Sequence, residues 1–240
     1  MSNKPKIAIL RWEQGDVPLG LKQLGDLKGN STNPESYPFP VKLVEVKGAN
    51  VETVITNPSE KLLADMIAIS KKLEEEGIKA ITTSCGFNAI FQKRIADAIN
   101  VPFFSSSLMQ VPFVKSIVGK NKTVAVITAN KSALTEEHFK VCGVEDMTGI
   151  KVIGLENCAE WSKIFDEPNS EFDIDSVTDE IVGTAQKCFI ENPEIGAIVL
   201  ECTDLPPYAR RISEELDIPV FDFSSMIGHV AASIGEVTLY

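Results

Sequence analysis

The chain has 240 residues, 44% of them apolar and 24% charged, with a net charge of −11 and an isoelectric point near 4.8. That length buries a substantial core, in one large domain or two small ones. An acidic chain repels phosphate backbones, and no cluster of Lys and Arg with interleaved aromatics occurs, so nucleic acid is excluded as a partner and the acidity reads as solvated surface.

The first apolar run, Ile7 to Leu10, is too short for an export signal and is followed by Arg11 and Glu13. No run approaches the roughly 18 residues of a membrane span. The expectation is a cytoplasmic protein with no membrane partner. Short runs rich in Ile, Val and Ala predict strands over 6–10, 42–46, 80–83, 103–105, 123–128, 151–155, 197–200 and 220–223, of the kind buried on both faces of a parallel sheet. Between them, helical periodicity is clearest over 59–76, where Leu62, Leu63, Met66, Ile67, Ile69 and Leu73 share a stripe and Gly77 follows as a cap. Residues 173–191 repeat that design. Segment 20–40, with Gly25, Gly29, Pro34, Pro38 and Pro40, reads as a long loop suited to a lid or to a plain surface excursion. Residues 156–171, with Trp161 and Pro168, form a second irregular stretch. The alternation predicts an α/β fold of two pseudo-symmetric, doubly wound lobes with parallel four-stranded sheets.

An internal repeat supports two lobes. When Cys85 is laid on Cys202, Ile78, Ala80 and Ile81 fall on Ile195, Ala197 and Ile198. Arg94 and Ile95 fall on Arg211 and Ile212, Pro102 on Pro219, Phe104 on Phe221, Ser107 on Ser224 and Met109 on Met226. Roughly 12 of 40 ungapped positions agree, against two or three from composition. The halves divide near 119–122, giving an N-terminal lobe over 1–119, with part of the C-terminal segment free to cross over to it, and a C-terminal lobe over 120–240.

Five cysteines occur, at 85, 142, 158, 188 and 202, with no C-x-x-C pair, which is neither a disulfide scaffold nor a zinc ribbon. Only Cys85 and Cys202 are paired by the repeat, and each follows a buried strand and precedes a helix. Ligands bind at the carboxyl ends of parallel strands, and a helix N-terminus there lowers a thiol's pKa. Two such thiols facing one cleft can take a proton from one face of a carbon and return one to the other. Glu201 and Asp204 beside Cys202 favour its neutral form, so the expected resting state is a thiolate at Cys85 and a thiol at Cys202. Cys142, Cys158 and Cys188 read as buried packing residues. His138 and His229 read as surface or supporting groups, with no third ligand at metal spacing. No G-x-G-x-x-G or Walker A motif occurs, so nucleotide binding has no support. Arg11, Trp12 and Glu13 follow the first strand at the cleft face, where Arg11 could pair a substrate carboxylate or a surface acid.

The motifs Thr82-Thr-Ser-Cys85-Gly-Phe and Glu201-Cys202-Thr-Asp resemble the two cysteine motifs of the aspartate/glutamate racemase superfamily, which includes hydantoin racemases, maleate isomerases and arylmalonate decarboxylases. The resemblance spans essentially the whole chain. It implies no cofactor, no metal, and a small carboxylic acid held by backbone N–H groups and hydroxyls. By position it assigns Cys85 and Cys202 to catalysis and Thr128 and Thr203 to substrate binding; Ser84, Gly86, Phe87, Asn88 and Asp204, which flank the two cysteines, and Arg11 complete the candidate substrate-binding set. A homo-oligomer is compatible with it. Glutamate racemases commonly carry Cys-Asn-Thr at the first motif and Gly-Cys-Thr-His at the second. Here Gly86 and Phe87 follow Cys85, Glu201 stands in place of the glycine and Asp204 in place of the histidine. Glutamate is therefore not the expected substrate, and Phe87 implies a more apolar pocket. The leading expectation is a two-cysteine racemase or epimerase of a small amino acid or related acid. The alternative is a cysteine-dependent isomerase or decarboxylase of a small dicarboxylic acid on the same fold. A further alternative is a non-catalytic two-lobed binding protein.

Overall fold

Strand-forming runs separated by amphipathic helices leave each strand apolar on both faces, and such strands are stable only under helices on either side. The computed structural model, which describes residues 4–237, meets that demand twice. The first sheet has the order β2-β1-β3-β4, from β1 (Ile7–Arg11), β2 (Val41–Glu45), β3 (Ala80–Thr83) and β4 (Phe103–Phe104). The second has the order β6-β5-β7-β8, from β5 (Thr123–Thr128), β6 (Ile150–Gly154), β7 (Ile195–Leu200) and β8 (Val220–Phe221). All six strand pairings are parallel. Both sheets therefore have one topology, as the sequence repeat requires. Residues 1–3 and 238–240, the outer ends of the two expected lobes, lie outside the described residues.

The helices are α1 (Leu19–Gly25), α2 (Glu60–Glu75), α3 (Gln92–Ala96), α4 (Val111–Ile117), α5 (Glu136–Val141), α6 (Lys163–Asp166), α7 (Ile174–Glu191), α8 (Pro206–Leu216) and α9 (Phe223–Ser233). The strongest sequence signals have local causes. The Ser59 hydroxyl accepts from the Leu62 N–H at the start of α2, and Gly77 ends it at φ +94°, a conformation that costs glycine nothing. The Asp173 carboxylate accepts from the Ser176 N–H at the start of α7. Segment 20–40 is more ordered than its glycines and prolines suggest. It contains the end of α1 and a 3₁₀ turn at Pro34–Ser36, and its centre is buried at Asn30 and Ser31.

Each half lends its final helix to the other. Helix α9 lays Phe223, Met226, Ile227 and Ala231 on Ile7, Ile9, Ala80 and Phe104 of the first sheet. The equivalent segment of the first half, residues 107–117 with α4, packs against β5 and β7. There the Ser107 hydroxyl donates to the Leu200 carbonyl at 2.5 Å. The Gln110 amide donates to the Asp222 carbonyl at 2.8 Å, where α9 begins.

Candidate active site

Four strands end on the same side, two from each sheet, and their C-terminal residues enclose a cavity of about 640 Å³. Arg11 and Trp12 come from β1, and Ser84, Cys85, Gly86 and Phe87 follow β3. Ala129 follows β5, and Glu201, Cys202, Thr203 and Asp204 follow β7. The two cysteine loops start alike: the Ser84 N–H donates to the Leu10 carbonyl, and the Glu201 N–H to the Ile127 carbonyl, each at 2.8 Å. The Thr203 hydroxyl then donates to the Ser84 carbonyl at 2.6 Å and ties one loop to the other.

Of the sequence-predicted site residues, Arg11, Ser84, Cys85, Gly86, Phe87, Cys202, Thr203 and Asp204 line this cavity. Asn88 and Thr128 do not. Asn88 is buried behind Cys85, donating its N–H to the Cys85 carbonyl. Thr128 is fully buried and its hydroxyl donates to Glu201 Oε2 at 2.8 Å. The threonine expected to hold a substrate carboxylate instead holds a protein one. Glu13 faces away and accepts from the Gly48 N–H. His138 is buried, its ring edge-on to Phe87 at 5.8 Å, so it supports the Cys85 loop; His229 is exposed.

The remaining walls come from segments the repeat does not cover. Trp161, Ile164 and Phe165 enter from one side, and Lys22, Thr32, Asn33 and Glu35 from the other. The Trp161 indole donates to the Ala129 carbonyl at 3.0 Å and stacks on Phe172. Segment 14–36 is strapped to the second cysteine loop. The Asn30 amide donates to Asp204 Oδ1 at 2.7 Å, and the Ser31 hydroxyl to the Thr203 carbonyl at 2.9 Å.

Burial dominates the electrostatics. It pushes the Glu201 carboxyl up to about 7, with only the Thr128 hydrogen bond opposing it. It pushes Asp204 up to about 6, offset in part by Asn30 and by the Cys202 thiol, which donates to Asp204 Oδ2 at 3.7 Å. Both thiols move the same way. Cys85 is raised well above the usual thiol range by burial and then by Glu201. Cys202 is raised by burial, Asp204, Glu201 and Cys85. This corrects the expectation of a resting thiolate at Cys85. The element that follows Cys85 is a 3₁₀ turn, Gly86–Phe91, and its Phe87 and Asn88 N–H groups lower the thiol less than burial raises it. Helix α8 begins four residues beyond Cys202. Both shifts favour the neutral thiol.

A carboxyl whose folded pKa lies above its unfolded value favours folding below the unfolded pKa and loses that contribution as pH rises through the folded one. For Glu201 the window runs from about 4.5 to about 7 and is worth about 3 kcal/mol. Glu201→Gln is therefore expected to be more stable than the wild type at pH 8, by about 2–3 kcal/mol, with the difference vanishing near pH 4.5. Urea titrations at the two pH values measure it.

No family model matches the chain. It is similar to a dimethylsulfoniopropionate lyase of Durusdinium sp. clade D, at 30% identity over 82% of this chain and 66% of that protein. It is also similar to dimethylsulfoniopropionate lyase 3 of Emiliania huxleyi (strain CCMP1516), at 32% identity over 98% of this chain and 61% of the relative. The chain thus spans less than two thirds of the length of either. Among solved structures, allantoin racemase from Klebsiella pneumoniae superposes with a TM-score of 0.60 at 11% identity, over 98% of this chain and 90% of that one. Unliganded arylmalonate decarboxylase does so with 0.55 at 15%, over 98% and 95%. The chain has the aspartate/glutamate/hydantoin racemase-like α/β fold. The expectation of an amino-acid racemase, with the isomerase assignment that goes with it, is overturned by the lyases among its sequence relatives. The findings agree better with the alternative, a cysteine-dependent isomerase or decarboxylase of a small dicarboxylic acid on the same fold. Among the described residues no helix is long and apolar enough to cross a membrane.

Proposed function

We propose that this chain is a carbon–sulfur lyase that splits dimethylsulfoniopropionate into dimethyl sulfide and acrylate. The observation that carries the reading is the pair of thiols, Cys85 buried and Cys202 partly buried, lining one cavity with unpaired charges of both signs, in a chain whose sequence relatives include lyases of that compound.

The chemistry is a β-elimination. A base removes a proton from the carbon beside the carboxylate, and those electrons become the carbon–carbon double bond. The bond from the next carbon to sulfur breaks, and its electron pair leaves on sulfur, turning a sulfonium into neutral dimethyl sulfide. Acrylate forms, and the proton stays on the base until solvent takes it. The two-base inversion expected from the sequence needed an acid opposite the base. Elimination needs the base alone, because the leaving sulfide departs without a proton.

Cys85 is the residue suited to that base. The Phe87 and Asn88 N–H groups favour its thiolate, whereas the Cys202 thiol is already engaged with Asp204. A sulfonium in the cavity brings the positive charge that draws Cys85 toward ionisation. Arg11, whose buried Nε has no hydrogen-bond partner, is placed to take the substrate carboxylate. The five free cysteines are consistent with a reducing, cytoplasmic setting.

Proton NMR of the purified chain with dimethylsulfoniopropionate tests this: acrylate and dimethyl sulfide are expected in equal amounts. Absence of both under saturating substrate would refute the assignment.

A further inference from the structure

Glu201 is a fully buried side chain on the cavity wall whose Oε1 has no hydrogen-bond partner, while Oε2 is satisfied by Thr128. The groups that face it are Thr128 from β5, Cys85 and Gly86 after β3, Cys142 at the end of α5, and Cys202 on its own loop. None is a cation, and among the described residues neither Glu201 nor Asp204 forms an ion pair. A buried carboxylate without a counterion is costly, and a buried polar atom without a partner calls for one from outside the chain. Arg11 lines the same cavity with an unpartnered Nε, yet the two do not pair with each other. Lys22, Asp26 and Glu35 line the cavity as well, and among the described residues none of these charges forms an ion pair, so a cavity that presents unpaired cations and anions together is complementary to a zwitterion.

The walls narrow the class of cation. A primary ammonium carries three N–H donors and seeks three acceptors. The cavity that holds Glu201 is also lined by Trp12, Phe87, Trp161 and Phe165, and an aromatic wall suits a methylated cation with no N–H to satisfy. We infer that Glu201 is the counterion of an onium subsite, and that the cavity takes small onium carboxylates: a sulfonium or quaternary ammonium at Glu201 with a carboxylate at Arg11. This rests on the lyase reading for the identity of the natural ligand, while the charge argument stands on the site itself.

Two probes of one shape isolate the charge: 3-(trimethylammonio)propionate, checked by proton NMR for release of trimethylamine, and its carbon isostere without the positive charge, 4,4-dimethylpentanoate. Isothermal titration at pH 8 measures both on the wild type and on Glu201→Gln, which keeps the side-chain shape and the acceptor for Thr128. The wild type is expected to bind the onium at least about 20-fold more tightly than the isostere, and the variant to bring that ratio to about 1–3. In the wild type the ratio should also shrink from pH 8 to pH 6, as Glu201 and then Asp204 take up protons, which covers a variant that fails to fold. Equal affinity for the two probes, no binding of either, or a preference that survives in a folded Glu201→Gln overturns the inference. A clear onium preference in a chain that releases no dimethyl sulfide overturns the lyase reading and leaves the subsite standing.

Discussion

If the proposed lyase reading holds, Cys85→Ser is expected to lower dimethyl sulfide release by about 1,000-fold, and Cys202→Ser by only about 10–100-fold. A positioned general base contributes about 10²–10⁴ in rate, and a hydroxyl stays protonated where a thiol ionises. Cys202 has no proton to deliver in an elimination, so its loss perturbs the hydrogen bond to Asp204 and the cavity shape more than the chemistry. The wild-type rate should climb through neutral pH into the alkaline range. On that reading the active form is the Cys85 thiolate, and burial with Glu201 nearby holds the thiol well above the usual range, so each rise in pH recruits more of it. Initial rates of both variants across pH 6–10 read the two effects together. Equal losses in the two variants, with a flat wild-type profile, would remove Cys85 from the base role.

Gly86→Ala is expected to cost about 3 kcal/mol of stability and about 100-fold in activity. A Cβ built on Gly86 would lie 1.9 Å from Glu201 Oε1 and 2.4 Å from the Glu201 carbonyl oxygen. The side chain could swing aside, but the carbonyl is backbone in the residue directly after β7 and has far less freedom, so the two cysteine loops must be forced apart. The Thr203 bond to the Ser84 carbonyl would stretch with them. Denaturant unfolding and turnover measured on the same preparation check the pair of effects. A variant with wild-type stability would show that the two loops are free to separate.

Much of this was legible because it is local or repeated. All eight strands lie within a few residues of their expected places, since runs such as Val124–Ile127 have no other way to be buried. The repeat put Cys85 and Cys202 at equivalent strand ends, and one cavity receives both. What escaped is non-local. Strand alternation left the direction of Glu201 open, but β7 stops at Leu200, and beyond a strand end alternation no longer governs where a side chain points. Thr128 was matched to a carboxylate-binding hydroxyl by position alone, and the carboxyl that occupies it comes from 73 residues away. Trp161 and Asn30 come from segments without a counterpart in the other half, so the repeat carried no information about them. The thiol pKa failed for a related reason. Adjacency to a helix start can be read along the chain, whereas desolvation depends on everything packed around the sulfur.

The traded helices limit how this molecule can breathe. Because α9 roofs the first sheet and α4 the second, prising the halves apart like a book would strip Phe223 and Ile227 from Ile7 and Ile9 on one side and Ser107 from Leu200 on the other. Each half relies on a helix of the other to cover its sheet, so a single cooperative unfolding transition is expected. Any opening of the cavity that leaves both sheets in place would have to come from its loop walls, among them the strap over 14–36 that Asn30 and Ser31 tie to the second cysteine loop.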